Sequence, residues 1–560
     1  MPPSSVADEP RTVASFEVYQ TLPRQSLFRR FLTTQRHLFG LVFGALSVDV
    51  DKRRGTPRGR GLGFFLERML NVLTRPFLDR KLRDLPFPVQ LRRRLEMLGP
   101  TYIKLGQILS LREDILPKSI TEELKHLLAT LPAVPYPVFC ELIVRGLGRP
   151  LDEMFLSIDE VPLGSASIGQ VHRATTRDAD PVIIKVVKPG IPAILRRDAK
   201  LLGMAGWMLE LVFPQYGPRR IIREFSEYTL REVDLRREAD NAETFAANFT
   251  DERDIVFPKI YREFSGERVL TMEFFDGLRP DSRKVQAMSL EDRERLVDLG
   301  AEAIIRMIYK DGFFHADLHP GNLIVLPGPQ AGFIDLGMVG RMHDELRRTL
   351  LYYYYALVMG DAENAARYLS AAAEPGRGGD PAGFRRDVAE VSTRWRRNAN
   401  FDSFSLGQLI LESVSRGAQY RMFFPVEMVL MVKALVTFEG VGQMLLPGFD
   451  VAEVSKRHVR RVFIQQFSPV RLAQEGLRGA PDLVDALVKM PLLITEGLRV
   501  MEKTAKRSSE NPFAGLRGTL IAGFSLVAGA IILGFVGPQA WMLYVPFFVI
   551  ALILAVRKGN

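Results

Sequence analysis

The run His315-Ala316-Asp317-Leu318-His319-Pro320-Gly321-Asn322, followed thirteen positions later by Asp335-Leu336-Gly337, has the layout of a phosphotransferase centre. Asp317 is placed to take a hydroxyl proton or to orient an acceptor. Asn322 and Asp335 offer hard oxygen ligands to Mg²⁺ on nucleotide phosphates. The same string could be turn chemistry alone, since Asp, Asn, Pro and Gly are all turn formers. His315 and His319 could also be read as zinc ligands, but no third histidine or cysteine cluster supports that.

Such a loop needs elements that hold phosphate and position the metal. Gly164-Ser165-Ala166-Ser167-Ile168-Gly169-Gln170-Val171 matches a glycine-rich hairpin, with alanine in the central glycine position, whose backbone N–H groups cover phosphates. Fourteen residues after Val171, the apolar run Val182-Ile183-Ile184 ends in Lys185, the form of a strand lysine that holds the α- and β-phosphates. That lysine requires a carboxylate partner on a helix. The helical periodicity of 218–249 offers Glu238, with Glu232 as the competitor, and Asp234 and Glu238 are expected to share one face. Val269 to Phe274 reads as a buried strand entering a hinge. Backbone groups around Glu273 and Phe274 would bind adenine, with Gly277 relaxing the chain.

Loop, lysine, acidic helix, hinge, catalytic loop and metal triplet, in this order, resemble the kinase-like UbiB family of atypical kinases. Two motifs carry the likeness beyond ordinary kinases: Lys104-Leu105-Gly106-Gln107 is similar to the family's K-x-G-Q helix, and Glu232-Val233-Asp234 to its E-x-D motif. The resemblance runs from about 95 to about 450, ending at Phe438-Glu439-Gly440-Val441-Gly442. Gly164, Ser165 and Gly169 depart from the family's alanine-rich loop. The resemblance implies a two-lobed kinase fold that binds ATP with Mg²⁺ and supports isoprenoid-quinone (ubiquinone) biosynthesis at the inner membrane. It also implies that the K-x-G-Q helix closes over the cleft. Lys104 and Gln107, three apart on one helix face, would then contact the E-x-D carboxylates.

Composition bounds the rest. The 560 residues carry 75 Lys and Arg against 65 Asp and Glu, a net charge of +10, which suits an anionic partner. Nucleic acid is not expected, because no aromatic-basic platform or reading motif is present. A single cysteine, Cys140, excludes a disulfide framework. Two charge-free apolar runs, 519–536 and 540–556, flank Gly537-Pro538-Gln539, with Arg517 before and Arg557 and Lys558 after. They read as a transmembrane hairpin with both ends on the cytoplasmic side, or else as a hairpin buried in a soluble core.

The expected architecture is α+β: a bilobal kinase-like fold with an N-terminal helical extension and a C-terminal transmembrane hairpin. Its parts are a tail at 1–20, a basic helical extension at 21–97, and the K-x-G-Q helices with the N-lobe at 98–277. The C-lobe follows at 278–450, a helical linker at 451–516 and the hairpin at 517–560. The extension, dense in arginine (Arg53, Arg54, Arg58, Arg60, Arg92 to Arg94), suits an anionic membrane surface or packing on the kinase body. Expected partners are ATP, a membrane lipid or isoprenoid-quinone precursor, and quinone-making enzymes. A soluble small-molecule kinase and a nucleotide-switched scaffold remain the alternatives. The scaffold reading lacks support, since every phosphate and metal residue is present.

Overall fold

Proline in the first turn starts three of the first four long helices, as its fixed φ and missing N–H allow. The structure, a computed structural model, describes residues 27–53 and 85–466 apart from short gaps at 111, 113–115, 128–132, 167, 213–217, 377, 399–405 and 450, with a few isolated positions elsewhere. The chain divides into two units, Met1–Gln466 and Phe467–Asn560. In the first, α1 (Leu27–Arg53), α2 (Phe87–Leu98), α3 (Pro100–Leu109) and α4 (Tyr136–Leu147) precede the sheet. Lys104 and Gln107 lie on α3.

The sheet has five strands: β1 (Phe155–Ile158), β2 (Gly164–Ser165), β3 (Gly169–Thr176), β4 (Pro181–Val187) and, after three helices, a strand at Val269–Glu273. Side chains alternate across a strand, and β4 shows the consequence. Val182, Ile184 and Val186 meet Phe139 and Ile143 of α4 on one face. Ile183, Lys185 and Val187 therefore face the other way. There Val187 and Ile183 meet residues of the helices α5 (Ile191–Val212), α6 (Pro218–Arg231) and α7 (Leu235–Asn248), including Leu195, Leu230 and Ala239. Burying each such large side chain contributes roughly 1.5–3 kcal/mol. The apolar run thus aims Lys185 at α7 by parity alone.

The second lobe is mostly helical. β5 (Ile255–Val256) and β6 (the fifth sheet strand, Val269–Glu273) lead to α8 (Leu290–Ile305), whose end widens into a π-helical turn at Arg306–Asp311. β7 (Phe313–His315) then enters the Asp317 loop. β8 (Leu323–Leu326), β9 (Gln330–Phe333) and β10 (Val339–Arg341) follow, with β10 antiparallel to β7. Further on come α9 (Asp344–Val358), α10 (Val426–Leu445) and α11 (Val451–Gln466).

Several expectations are corrected. The periodicity of 218–249 is interrupted, because α6 ends at Arg231 and Asp234 caps α7 by accepting from the Arg236 N–H at 3.2 Å. Asp234 and Glu238 are therefore not on one helix face. Gly277 does not relax the hinge; an added Cβ there would lie 2.4 Å from Ile324 Cγ2, so glycine serves a close approach to β8. The stretch expected as linker from 451 begins with α11, held to α8 by His458 Nε2 on Asp298 at 2.7 Å and Arg461 on Glu302 at 2.8 Å. α10 is long and apolar enough to cross a bilayer, but 67% of its apolar window is buried. It is a core helix of this lobe. The expected hairpin at 517–560 lies outside the described residues, isolated positions apart.

Part of the basic extension packs on the body, while Phe28, Leu32 and Arg93 among its described side chains stay exposed. Arg92 is held by Glu96 and Glu123, each at 2.6 Å, and Arg94 is buried. Arg30 of α1 donates to both Asp198 oxygens, at 2.9 and 2.8 Å, and Thr101 of α3 donates to Asp198 at 2.8 Å. Asp198 is fully buried and so ties α1 and α3 to α5. Asp198→Ala leaves the Arg30 guanidinium buried without its countercharge, so unfolding stability should fall by about 3–5 kcal/mol, read as a lower urea midpoint. Replacing both Arg30 and Asp198 by apolar residues should cost much less. Equal losses in the two variants would show that the pair is not the tie.

Candidate active site

Parity along β4 delivers Lys185 to the first turn of α7, where its Nζ meets Glu238 Oε1 at 2.7 Å and Oε2 at 2.9 Å. Of the two candidate carboxylates, the structure pairs Lys185 with Glu238. Glu232, in the break between α6 and α7, instead contacts the ammonium of Lys104. Lys185 also reaches Asp335 Oδ1 at 2.9 Å. Burial disfavours its charge, yet the Asp335 and Glu238 carboxylates hold it above the ordinary lysine range. In return, Lys185 keeps the Asp335 carboxyl well below the usual carboxylate range.

The metal triplet is held from behind. Asn241, one turn along α7 from Glu238, donates to the Leu336 carbonyl at 2.9 Å. Asp335 has φ of 53°, a left-handed conformation that non-glycine residues adopt at a cost and Asp or Asn tolerate best. A Cβ on Gly337 would come 3.3 Å from Glu238 Oε2 and 3.5 Å from Asp335 Oδ1, crowding the cluster. Gly337 thus lets the chain approach the carboxylates closely.

In the Asp317 loop, His315 is fully buried and both its ring nitrogens are engaged, by the Asp317 N–H at 3.0 Å and the Ile334 carbonyl at 3.2 Å. Burial pushes its pKa down, so it braces the loop as a neutral ring and is no zinc ligand. His319 Nδ1 accepts from the Gly321 N–H at 3.0 Å, and its Nε2 lies 3.9 Å from Asp317 Oδ2. Asn322 Nδ2 donates to the Asp317 carbonyl at 3.0 Å, leaving the amide oxygen as the group available to a cation. That oxygen and the ionised Asp335 are hard donors of the kind Mg²⁺ takes, and Mg²⁺ completes its shell with phosphate oxygens and water.

The phosphate loop is a hairpin in which β2 pairs with β3, and Ala166 N–H donates to the Gly169 carbonyl at 2.9 Å. Val171 lies opposite Lys185 in the β3–β4 register. Ile168 accepts from the Lys188 N–H at 2.8 Å, and Lys188 Nζ donates to Ser165 at 2.7 Å. Burial pushes Lys188 down to about 8. Ser167 lies outside the described residues. At the hinge, the Glu273 and Phe274 N–H groups already donate to the Lys259 and Pro181 carbonyls, at 2.9 and 3.0 Å. These two N–H groups are therefore engaged, and a backbone donor to adenine would have to come from another residue of the hinge.

Lys104 reaches the site from α3. Burial, with Lys433 and Lys185 as like charges, pushes its ammonium down to about 7 against the pull of Asp335 and Asp317. Gln107 behaves otherwise: its Nε2 donates to the Leu127 carbonyl at 3.3 Å and fixes α3 to the following segment. Asp234 is also elsewhere, paired with Arg236 at 2.8 Å. Of the contacts expected between the K-x-G-Q helix and the E-x-D carboxylates, the one present among the described residues is Lys104 to Glu232.

Sequence reasoning missed two lysines and an amide. Lys433 of α10 meets Asp317 Oδ1 at 2.7 Å. A charged residue inside the apolar run 428–438 was the available signal, because an ammonium there needs a partner. Lys188 and Asn241 were legible only as neighbours of Lys185 and Glu238.

With known proteins, residues 126–369 match the ABC1 atypical kinase-like domain and residues 397–450 the UbiB helical domain. A "Probable protein kinase UbiB" from Vibrio vulnificus is 30% identical over 446 residues, 78% of this chain and 81% of that protein. The protein of the same description from Tolumonas auensis is 29% identical over 464 residues, 79% of this chain and 84% of that one. A solved complex of Rv3197 with erythromycin from Mycobacterium tuberculosis has a TM-score of 0.41 at 23% identity, covering 61% of this chain and 91% of that one.

Proposed function

This chain belongs to the UbiB family of atypical kinases, and we propose that it is a membrane-anchored, Mg²⁺-dependent kinase or ATPase supporting isoprenoid-quinone (ubiquinone) biosynthesis. The observation that carries the phosphotransferase part is the cluster in which Lys185 joins Glu238 to Asp335. Lys185 binds and orients the α- and β-phosphates, and the β2–β3 hairpin covers them. Asn322 and Asp335 would hold Mg²⁺, which when bound neutralises phosphate charge. Asp317 accepts the proton of the attacking hydroxyl or water. Lys104 stands over the γ-phosphate position, where a cation favours developing charge and excludes a bulky polypeptide acceptor. Protein substrates are then poor ones, and a small or lipid-borne hydroxyl, or water, takes the phosphoryl group.

The charge-free runs at 519–536 and 540–556 support a multi-pass anchor in the inner membrane with the body facing the cytoplasm, where ATP is found. The experiment is complementation of a strain lacking the protein, with quinones profiled and membranes fractionated. Wild type should restore the quinone pool and Asp335→Asn should not. A chain ending at Arg517 should be extractable by alkaline carbonate. An unchanged quinone pool in the null strain would overturn the biosynthetic role, and carbonate-resistant truncated protein would overturn the anchor.

A further inference from the structure

We propose that Lys433 is a positioning residue for the Asp317 carboxylate, so that α10 contributes to the active site and is not only a scaffold for the C-lobe. The inference rests on the phosphotransferase reading of the Asp317 loop. It begins with a residue out of place. Around Lys433, the α10 residues Met428, Val429, Leu430, Met431, Val432, Ala434 and Leu435 are buried and apolar. An ammonium in such a stretch is tolerated only with a compensating partner. Its partner is Asp317 Oδ1 at 2.7 Å; the other polar neighbour, the Met338 thioether at 3.7 Å, is a weak acceptor.

From the side of Asp317 the need is reciprocal. Its backbone is doubly held, N–H to His315 and carbonyl from Asn322. Neither contact fixes rotation of the carboxylate. The loop's own histidines do not supply a close cation: His315 is neutral and engaged with backbone, and His319 lies 3.9 Å from Oδ2 with its other nitrogen engaged. Lys433 therefore holds Oδ1 and leaves Oδ2 to meet the acceptor. A carboxylate held within a few tenths of an ångström is what proton acceptance from a positioned hydroxyl requires. The matched helical domain, 397–450, contains Lys433, so this part of the chain reaches the chemistry through one ion pair.

The test uses the full-length chain in lipid nanodiscs, with Mg²⁺-dependent ATP turnover and nucleotide affinity measured for wild type, Lys433→Met, Lys433→Arg, Asp317→Asn and the Lys433→Met/Asp317→Asn pair. Lys433→Met should lower kcat about 100-fold, the size of a lost acid–base contribution. KM and nucleotide affinity should hold within about twofold, because Lys433 acts on the Asp317 carboxylate and not on the nucleotide, whose phosphates Lys185 holds in the proposed reading. Lys433→Arg should recover much of kcat. The double variant should be no slower than Asp317→Asn alone, since a residue acting through Asp317 has nothing left to act on. Unchanged or raised kcat in Lys433→Met, or a double variant slowed by the product of the single losses, overturns the inference while the phosphotransferase reading stands. Wild type without Mg²⁺-dependent nucleotide binding overturns both.

Discussion

Asp335→Asn should abolish Mg²⁺-dependent nucleotide binding and leave the protein folded. In the proposed site the carboxylate is one of two hard ligands from the chain, and the amide that replaces it carries no charge. Affinity for Mg²⁺-ATP should fall by 100-fold or more, beyond the roughly 10–100-fold typical of second-shell losses around metals. The fold survives for two reasons. Asn tolerates the left-handed backbone that Asp335 adopts at φ of 53°. Lys185, deprived of Asp335, still has Glu238 at 2.7 and 2.9 Å, so no buried ammonium is left alone. Asn322→Ala should act in the same direction. Thermal shift with ATP, with and without Mg²⁺, reads the result, and an unchanged Mg²⁺-ATP affinity in either variant would remove these residues from the metal site.

Removing the lid charge should affect turnover more than binding. Lys104→Ala should lower kcat by about 10²-fold, the cost of losing one preorganised group that meets developing charge. Nucleotide affinity should change little, since in the proposed site Lys185 and the metal ligands hold the phosphates. Glu232→Gln should act through Lys104, so the double variant should fall short of the product of the single effects; strict additivity would mean that the two do not form one unit. The pH dependence follows from burial, which pushes Lys104 down to about 7. Its cation is present below that pH and lost above it, so the Lys104-dependent part of turnover should decline as pH rises through about 7. Lys104→Arg, which stays protonated, should remove that decline. A wild-type profile flat across neutrality would refute the assignment.

What was legible in the sequence was what chemistry makes local. The Asp317 loop, the Asp335 triplet, the Lys185 strand and the hairpin at 164–171 are short strings of the residue types that phosphate and metal binding would require within one turn of chain. The break between α6 and α7 was not legible, because apolar periodicity continues through Glu232-Val233-Asp234 and conceals a cap. That break matters, since it moves Glu232 out of line with Glu238 and gives each lysine its own carboxylate.

By itself, then, the sequence supplied the residues of the proposed phosphate and metal centre, their order along the chain and the presence of a cation on the K-x-G-Q helix. Only the tertiary structure decided the partners: Lys185 with Glu238, Lys104 with Glu232, Gln107 with the Leu127 carbonyl, Lys433 with Asp317, and Arg30 with Asp198. Residue type and strand or helix parity are properties of a few neighbouring positions. An ion pair between residues more than fifty positions apart depends on how whole helices pack, and no local pattern encodes that packing.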